Sequence, residues 1–338
     1  MKIRTATLLS RGFNYKLPKN LKFWYNQATL TINQKIIMKN TIITILILVV
    51  LCFGIYFLIS DPSSDTYVAP ELDPTINNQI PEIDPVVESQ NESETIIGKS
   101  IERRDIIANH YGTGDTEILF VGGIHGGYEW NTSLLAYEMM DYLEANPSVI
   151  PDNVKVTIIP VLNPDGLNKT VGTSARFEST DVPSDSKETI AGRFNANEVD
   201  LNRNFYCKWK ETGTWQNKTV SAGTEAFSEP ESQAIKSYIT TQKPQAVVVW
   251  YSSAGGIYTS NCNGTVLAET KTLARIFAEA SNYPNEGEFT SYEINGDMVN
   301  WLAKKSIPAI SVLLTNHTDT EKNKNQAGVK AILKHYSK

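Results

Sequence analysis

The first 60 residues contain no aspartate or glutamate, although they contain eight lysines and arginines. The whole chain has a formal net charge of −6, so its basic residues are concentrated at this end. The remainder of the chain has no such excess of positive charge, which a nucleic-acid-binding face would require. The composition therefore predicts no nucleic-acid partner.

Charged residues are also absent from positions 42–59, IITILILVVLCFGIYFLI. A run of this length and apolar character is just long enough to cross a bilayer as a helix. Lysines precede it and aspartates follow it, so the positive-inside tendency places residues 1–41 in the cytoplasm as a basic segment. We predict a transmembrane anchor at 42–59, with the folded domain extracytoplasmic, at the cell surface or in the periplasm.

A cleaved signal peptide is the alternative interpretation of this apolar run. The residues before Asp61, YFLIS, lack a small-x-small cleavage pattern, which favours an uncleaved anchor. Cys52 resembles a lipoprotein cysteine, but Leu51 before it is too large for the usual site, so a cysteine inside a membrane helix is the simpler interpretation. Met38 could be the true start, and the sequence leaves this question open.

Lysine and arginine are absent from residues 60–97, which contain nine aspartates and glutamates and five prolines. A segment of this composition cannot bury an apolar core, and its prolines keep it extended. We predict a solvated acidic linker over 60–97 and one folded domain over 98–338.

Beyond Gly98, short apolar runs alternate with segments of helical spacing. The predicted strands are 117–123, 154–162, 245–252 and 307–314, and the predicted helices are 131–146, 228–242, 265–281, 296–306 and 321–336. This alternation is typical of an α/β fold with a largely parallel sheet between helices. Ligands of such folds bind at the carboxyl ends of the strands. In this chain His125, Tyr251 and the residues after Leu314 lie at such ends.

Cysteine is scarce, with three residues in the chain. Cys207 and Cys262 fall in the predicted extracytoplasmic domain, where an oxidising environment makes a disulfide between them plausible. Two free buried thiols are the alternative.

His125 and Glu129 stand four residues apart in IHGGYEW, and both are zinc-compatible ligand types. Alone they are a weak signal, because a loop histidine before a helix is more often a surface or capping residue. Three further motifs strengthen it, namely LNPDGLN at 162–168, VDLNRNF at 199–205 and SEPE at 228–231. In this order the motifs resemble the zinc carboxypeptidase family of the carboxypeptidase A type, over essentially the whole predicted domain.

The resemblance implies a mixed sheet between helices that carries one zinc ion at its strand ends. It also implies that a C-terminal residue is removed from a peptide. His125 matches the first zinc ligand and Glu129 the second. The family spaces these two ligands as H-x-x-E, whereas this chain has one more residue between them.

The same resemblance implies a substrate-binding group. Asn202 and Arg203 match the pair that holds the terminal carboxylate of the substrate, a task that suits a guanidinium fork. Arg193 matches the arginine that stabilises the oxyanion, and Tyr292 matches a mobile tyrosine that closes over the substrate. Each has a structural alternative: an ion-pair partner for Arg203, a solvated charge for Arg193 and simple packing for Tyr292. Asp200 is predicted to be structural.

Two positions depart from the pattern of the family. Its third zinc ligand is a histidine at a strand end, where this chain has Tyr251; a phenol is a poor ligand because its ordinary pKa is about 10. Its general base is a glutamate, where this chain has Leu313, or Leu314 one residue later. Neither leucine can move a proton, and Glu321 lies further along, on a predicted helix. His317 could replace the missing ligand, because it follows the same strand.

Three hypotheses about function follow. The first is a membrane-anchored, extracytoplasmic zinc carboxypeptidase that hydrolyses C-terminal residues of peptides, including cell-wall peptides. The second is a catalytically impaired relative that binds the C-terminal carboxylate of peptides, and the two substitutions favour it. The third is an amide or ester deacylase acting on a small carboxylate substrate. All three predict a peptide or small-molecule partner with a free carboxylate.

Overall fold

The computed structural model of the protein describes residues 93–337. These residues form an eight-stranded sheet, a two-stranded hairpin and seven α-helices. The strands are β1 (Glu94–Lys99), β2 (Asp105–Tyr111), β3 (Thr116–Val121), β4 (Val154–Ile159), β5 (Thr212–Trp215), β6 (Lys218–Ser221), β7 (Ala246–Ser252), β8 (Gly256–Thr259), β9 (Asn285–Glu288) and β10 (Ala309–Leu314). The helices are α1 (Trp130–Ala145), α2 (Pro164–Val171), α3 (Ser186–Ala191), α4 (Pro230–Gln242), α5 (Ala268–Ser281), α6 (Met298–Lys304) and α7 (Lys322–His335).

The large sheet has the strand order β1-β2-β4-β3-β7-β10-β8-β9. Its centre is parallel, because β3 pairs in parallel with β4 and β7, and β7 with β10. Antiparallel pairs occur towards both edges, at β1–β2, β2–β4 and β8–β10. The predicted mixed, largely parallel sheet is therefore confirmed, and the carboxyl ends of β3, β7 and β10 meet at one edge.

Helices cover both faces of the sheet. Every residue of β7, AVVVWYS, is buried, as expected of a central parallel strand that is covered on both sides. Leu135 of α1, Phe277 of α5 and Ile332 of α7 pack into the core on one face. Ile235 of α4 and Trp301 of α6 pack into the core on the other. The predicted arrangement of a sheet between helices is confirmed.

Each of the nine predicted strands and helices is present, with its ends shifted by three residues or fewer. The sequence did not predict β1, β2, β8, β9, the β5–β6 hairpin or the two short helices α2 and α3. The sheet begins at Glu94, inside the stretch predicted as linker, so the predicted boundary at residue 98 lies too late. β1 is an edge strand with mostly exposed or half-buried residues. It is fixed by backbone pairing with β2 rather than by an apolar run.

The helix α2 begins in the NPDG motif. The Asn163 side chain caps its start by accepting a hydrogen bond from Gly166 N at 2.9 Å. Pro164 occupies the first turn, where a missing N–H costs nothing. Gly172 ends the helix in the left-handed conformation, at φ 82°. With eight residues, the helix is too short to show a clear apolar period.

The predicted disulfide is confirmed: Cys207 and Cys262 are bonded, with their Cα atoms 5.9 Å apart, within the usual range. The predicted basic segment 1–41 and the predicted anchor at 42–59 lie outside the described residues, as does most of the predicted linker. Within residues 93–337, no helix combines the length and the apolar character that crossing a membrane requires.

Candidate functional site

A cavity of about 400 Å³ opens at the carboxyl ends of the central strands. The structure brings together in its wall all the predicted site residues and both positions that depart from the family pattern. These are His125, Glu129, Arg193, Asn202, Arg203, Tyr251, Tyr292 and Leu313.

His125 and Glu129 lie on the short segment that leads from β3 into α1. His125 precedes the 3₁₀ turn Gly126–Glu129, and Glu129 ends it. Both are buried, with 4% and 3% of their surface exposed. His125 Nδ1 lies 2.9 Å from Glu129 Oε1. Even so, neither imidazole nitrogen nor Glu129 Oε2 has a properly directed hydrogen-bond partner within residues 93–337. Buried polar atoms without partners are rare, so this pair is arranged to receive a ligand such as a cation.

Tyr251, at the end of β7, occupies the position where the resemblance expects a third metal ligand. Its hydroxyl donates to Asn202 Oδ1 at 3.2 Å, and its ring centroid lies 5.8 Å from that of His125. Burial raises the pKa of Tyr251 well above its ordinary value, so the phenol stays protonated and ligates metal poorly.

The donor set is consequently incomplete for zinc. Catalytic zinc sites normally have three protein ligands, and His125 and Glu129 supply two. In the part of the chain that the structure describes, no three His, Cys, Asp or Glu side chains are placed to hold one metal ion. The residues present therefore supply two of the three protein ligands of a catalytic zinc site and do not complete it.

Leu313 lies on β10 directly beside Tyr251 on β7, because the two residues are partners in the parallel pairing. The two departures from the family pattern are therefore neighbours in the cavity wall. Glu321 does not take over the role of a base. Its carboxylate accepts hydrogen bonds from Thr315 N at 2.8 Å and from the Tyr283 hydroxyl at 2.7 Å, and it does not line the cavity.

His317 does line the cavity. Its Nδ1 lies 2.9 Å from Ser252 Oγ and its Nε2 lies 3.2 Å from Ser253 Oγ. Its ring packs on that of Tyr128, with centroids 4.6 Å apart, and burial lowers the pKa of the imidazole. Both nitrogens are therefore engaged with serines, and His317 does not join His125 and Glu129 in this arrangement.

Arg203 belongs to a 3₁₀ turn, Leu201–Arg203, which begins where the Asp200 side chain accepts from Asn202 N at 3.1 Å. Arg203 is 2% exposed, and its Nη2 donates to Thr214 O at 3.3 Å. Its Nε has no hydrogen-bond partner among the described residues. Burial alone would lower the pKa of Arg203, but the Asp200 carboxylate raises it and the net shift is upward. The site therefore holds a permanent, buried positive charge with unused donor capacity.

The Asn202 side chain is held in one orientation. Its Nδ2 donates to Asp297 Oδ2 at 2.9 Å, and its Oδ1 accepts from Tyr251 and from Met298 N. Gly296 makes this packing possible, because a Cβ at this position would lie 1.8 Å from Arg203 O. One N–H of Asn202 remains for a ligand.

Arg193 and Asp200 form a buried ion pair. Nη2 of Arg193 donates to Asp200 Oδ2 at 2.8 Å, and Nε donates to the same oxygen at 3.2 Å. The guanidinium also stacks over the Trp215 ring at 4.6 Å. Burial would raise the pKa of Asp200, but Arg193 and Arg203 hold it well below its usual range. His125 Nε2 lies 3.4 Å from Asp200 Oδ1, so this carboxylate also faces the first predicted ligand.

Tyr292 lies at the mouth of the cavity with 44% of its surface exposed. Its ring packs against Phe289, with centroids 4.9 Å apart, and lies 5.9 Å from the Arg203 guanidinium. Tyr292 is thus exposed and beside the arginine, and its role of closing over a ligand stays a prediction.

Tyr128, Trp215 and Asp297 are among the residues of the cavity wall that the sequence did not predict. Asp297 caps α6 by accepting from Asn300 N at 2.8 Å, a pattern that the sequence GDMVN could have indicated. Tyr128 and Trp215 carry no sequence signal for the site, because they come from a turn and from the β5–β6 hairpin.

Residues 88–327 of the chain match the sequence model of a protein family that is described as zinc carboxypeptidase. A metallocarboxypeptidase A of Arthroderma otae is 29% identical over 233 residues, which cover 60% of this chain and 53% of the relative. A zinc carboxypeptidase of Simulium vittatum is 30% identical over 159 residues, covering 45% of this chain and 50% of that protein. The chain thus spans about half the length of these curated relatives.

Solved structures share the fold at low sequence identity. Bovine thrombin-activatable fibrinolysis inhibitor, in complex with tick carboxypeptidase inhibitor, is 17% identical with a TM-score of 0.58, covering 72% of this chain and 89% of that one. Carboxypeptidase A from Helicoverpa armigera is 19% identical with a TM-score of 0.56, and the match covers 71% of this chain and 66% of that one. At these identities the likeness concerns the fold alone.

Replacing Asp200 by asparagine should lower the free energy of unfolding by about 3–5 kcal/mol, because it leaves buried arginine charge uncompensated. Denaturant unfolding at neutral pH measures this loss. The pKa of Asp200 is lower in the folded than in the unfolded state. The stability that its ionised carboxylate contributes is therefore fully present above pH about 4, and it is lost as the pH falls through the lowered pKa.

The matched control is Asp141→Asn, which removes an exposed carboxylate that pairs with Arg176. Because exposed ion pairs contribute about 0–1 kcal/mol, this variant should unfold nearly as the wild type does. Equal stability of both variants would show that Asp200 does not hold the site together.

Proposed function

Because this chain belongs to the zinc carboxypeptidase family, we propose that its domain binds peptides through their free C-terminal carboxylate and hydrolyses them weakly or not at all. One observation carries the proposal. Tyr251 and Leu313 lie side by side in the cavity, where the resemblance expects a metal ligand and a general base. Asn202 and Arg203, which we assign to the carboxylate of the ligand, line the same cavity.

The binding half of the proposal rests on the charge and geometry of Arg203. A buried guanidinium is matched in shape and charge to a carboxylate, and such charge-assisted pairs are among the strongest hydrogen bonds in proteins. The free N–H of Asn202 adds a directed donor, and Tyr292 can cover a bound ligand from the mouth of the cavity. None of these interactions requires a metal ion.

The catalytic half rests on what Tyr251 and Leu313 cannot do. A protonated phenol does not replace a histidine ligand, and a leucine side chain neither accepts nor donates a proton. General acid–base groups contribute roughly 10²–10⁴-fold to rates, so the change to leucine alone should be severe.

A metallocarboxypeptidase that removes C-terminal residues is the second candidate function. The partnerless nitrogens of His125 and the free Oε2 of Glu129 favour it, because they are placed as two ligands of a cation would be. For this function the chain would have to supply a third ligand from a rearranged site.

We further propose that residues 42–59 anchor the protein in a membrane and that the domain lies on the extracytoplasmic side. The apolar run, the lysines that precede it and the disulfide of the domain support this placement. A tethered domain in that location would meet peptides of the cell wall or the surroundings.

The free carboxylate of a ligand can be tested directly. A peptide with a free C-terminus should bind roughly 10- to 100-fold more tightly than its C-terminal amide, since hydrogen bonds to charged groups contribute about 1.5–3 kcal/mol. Isothermal titration calorimetry in the presence of a chelator measures both affinities. Arg203→Gln should remove the difference, and Arg203→Lys should retain only part of it, because lysine lacks the fork.

Arg176→Gln serves as the control, since Arg176 is exposed and does not line the cavity. It should bind both peptides as the wild type does. Equal affinity of the wild type for the acid and the amide would contradict the proposed function.

Asp297 indicates which side chain the ligand carries. It is 7% exposed and forms no ion pair within residues 93–337, and burial raises its pKa. It lines both the main cavity and an adjoining one of about 240 Å³, whose wall also includes Asn300 and Ser311. The nearby cation that lowers its pKa is Arg203, and a bound C-terminal carboxylate would engage that guanidinium. A ligand with a cationic side chain would then restore positive charge beside this buried carboxylate.

A peptide ending in lysine should therefore bind roughly tenfold more tightly than one ending in the uncharged isostere norleucine. Asp297→Asn should remove this preference. Its single oxygen keeps the helix cap but gives up the hydrogen bond from Asn202 Nδ2, so the readout is the ratio of the two affinities rather than either affinity alone. The matched control is Glu293→Gln, which changes an exposed carboxylate of the adjoining cavity that pairs with Lys210. A preference for lysine that survives in Asp297→Asn would contradict the assignment.

A further inference from the structure

Four polar side chains form a hydrogen-bonded network along the wall of the cavity, separate from Asn202 and Arg203. It runs from Asn131 at the start of α1 through Ser252 at the end of β7 and His317 to Ser253. Asn131 and Ser252 are buried, whereas Ser253 is exposed and lines the cavity.

The hydrogen bonds of Asn131, at the buried end of the network, determine where each proton of the network lies. Asn131 Nδ2 donates to Asn316 O at 2.8 Å and to Asp319 O at 3.0 Å, so its Oδ1 is left to accept. The Ser252 hydroxyl donates to that Oδ1 at 3.1 Å. Since its single proton is used there, Ser252 Oγ must accept from Nδ1–H of His317 at 2.9 Å.

His317 is thereby fixed in the tautomer that carries its proton on Nδ1. Its Nε2 carries no proton, and the lone pair on this nitrogen accepts a hydrogen bond from the Ser253 hydroxyl at 3.2 Å. Burial lowers the pKa of His317, so the neutral form with that lone pair predominates at neutral pH. A hydroxyl, a base within hydrogen-bond reach and a third group that orients the base form the arrangement that activates a serine nucleophile.

A positive charge lies near the same wall. The Arg193 guanidinium lies 5.5 Å from the centroid of the Tyr128 ring, and the His317 ring packs on the same tyrosine at 4.6 Å. Arg193, His317 and Ser253 line the same cavity, so the guanidinium would attract negative charge that develops on a carbonyl oxygen there.

From this geometry we infer that Ser253 is a nucleophile activated by His317, and that the cavity has a metal-independent esterase activity. The Oγ–C bond to the carbonyl carbon forms while the Ser253 proton passes to His317 Nε2. The ester C–O bond then breaks, and the leaving alcohol takes that proton. Water attacks the acyl-serine and gives its proton to Nε2, the acid leaves, and Ser253 regains its hydrogen.

The substrate class is a carboxylic ester whose remote end bears a carboxylate for Arg203. Only the requirement for a remote carboxylate that binds Arg203 rests on the proposed function. The reactivity of Ser253 stands apart from it, so a small phosphonylating probe tests the nucleophile without requiring peptide binding.

The experiment treats the full chain with an ethyl fluorophosphonate probe in the presence of a chelator, and follows the adduct by intact mass and peptide mapping. Ser253 Oγ displaces fluoride from phosphorus, and the proton leaves through His317. One adduct per chain is expected on Ser253, absent in Ser253→Ala. Labelling of His317→Phe, which keeps a ring against Tyr128, should be roughly 100-fold slower.

Ser291→Ala is the matched control, because Ser291 is another exposed serine of the same cavity; it should label at the wild-type rate. Labelling of Ser253 that is unchanged in His317→Phe would overturn the inference, because it would be the reactivity of an ordinary hydroxyl. Absence of an adduct on Ser253, or dependence of the adduct on metal, would overturn it too. Failure of peptide binding would leave the labelling result unaffected.

Discussion

The buried ion pair of Asp200 and Arg193 is the interaction on which the rest of the site depends. The Asp200 carboxylate accepts from Arg193 at 2.8 Å, starts the turn that presents Asn202 and Arg203, and faces His125 at 3.4 Å. Three functional groups therefore take their positions from one fully buried charge. Because removing one partner of a buried pair is strongly destabilising, this ion pair contributes to the stability of the fold as well as to the geometry of the site.

Tyr251 connects a departure from the family pattern with the pair that we propose to bind the ligand. Its hydroxyl donates to the same Asn202 oxygen that accepts from Met298 N, so the tyrosine acts as part of the support of the carboxylate-binding pair. Leu313 beside it adds apolar surface to the cavity wall. The side chains at these two positions therefore suit a pocket that binds a peptide better than a pocket that polarises the peptide bond.

The sequence predicts the central strands and the long helices well, because β7 and β10 are short apolar runs and α1, α4 and α7 have a helical period. It also predicts that His125, Arg203 and Tyr292 share one site, through motifs of a known family. It does not predict the contacts that decide what the site does. Tyr251 meets Asn202 across 49 residues of chain, and Asn202 meets Asp297 across 95. Such pairs depend on tertiary packing, which no local pattern specifies.

The most direct test of this account is the zinc content of the purified protein, measured by elemental analysis. A site with two protein ligands should hold well below one zinc ion per wild-type chain. The Tyr251→His variant should hold about one, because it supplies the third ligand that a catalytic zinc site needs. His125→Ala combined with Tyr251→His should lose that zinc again. About one zinc ion per wild-type chain, lost in His125→Ala alone, would contradict the account. It would show that the protein completes its metal site with a ligand other than Tyr251.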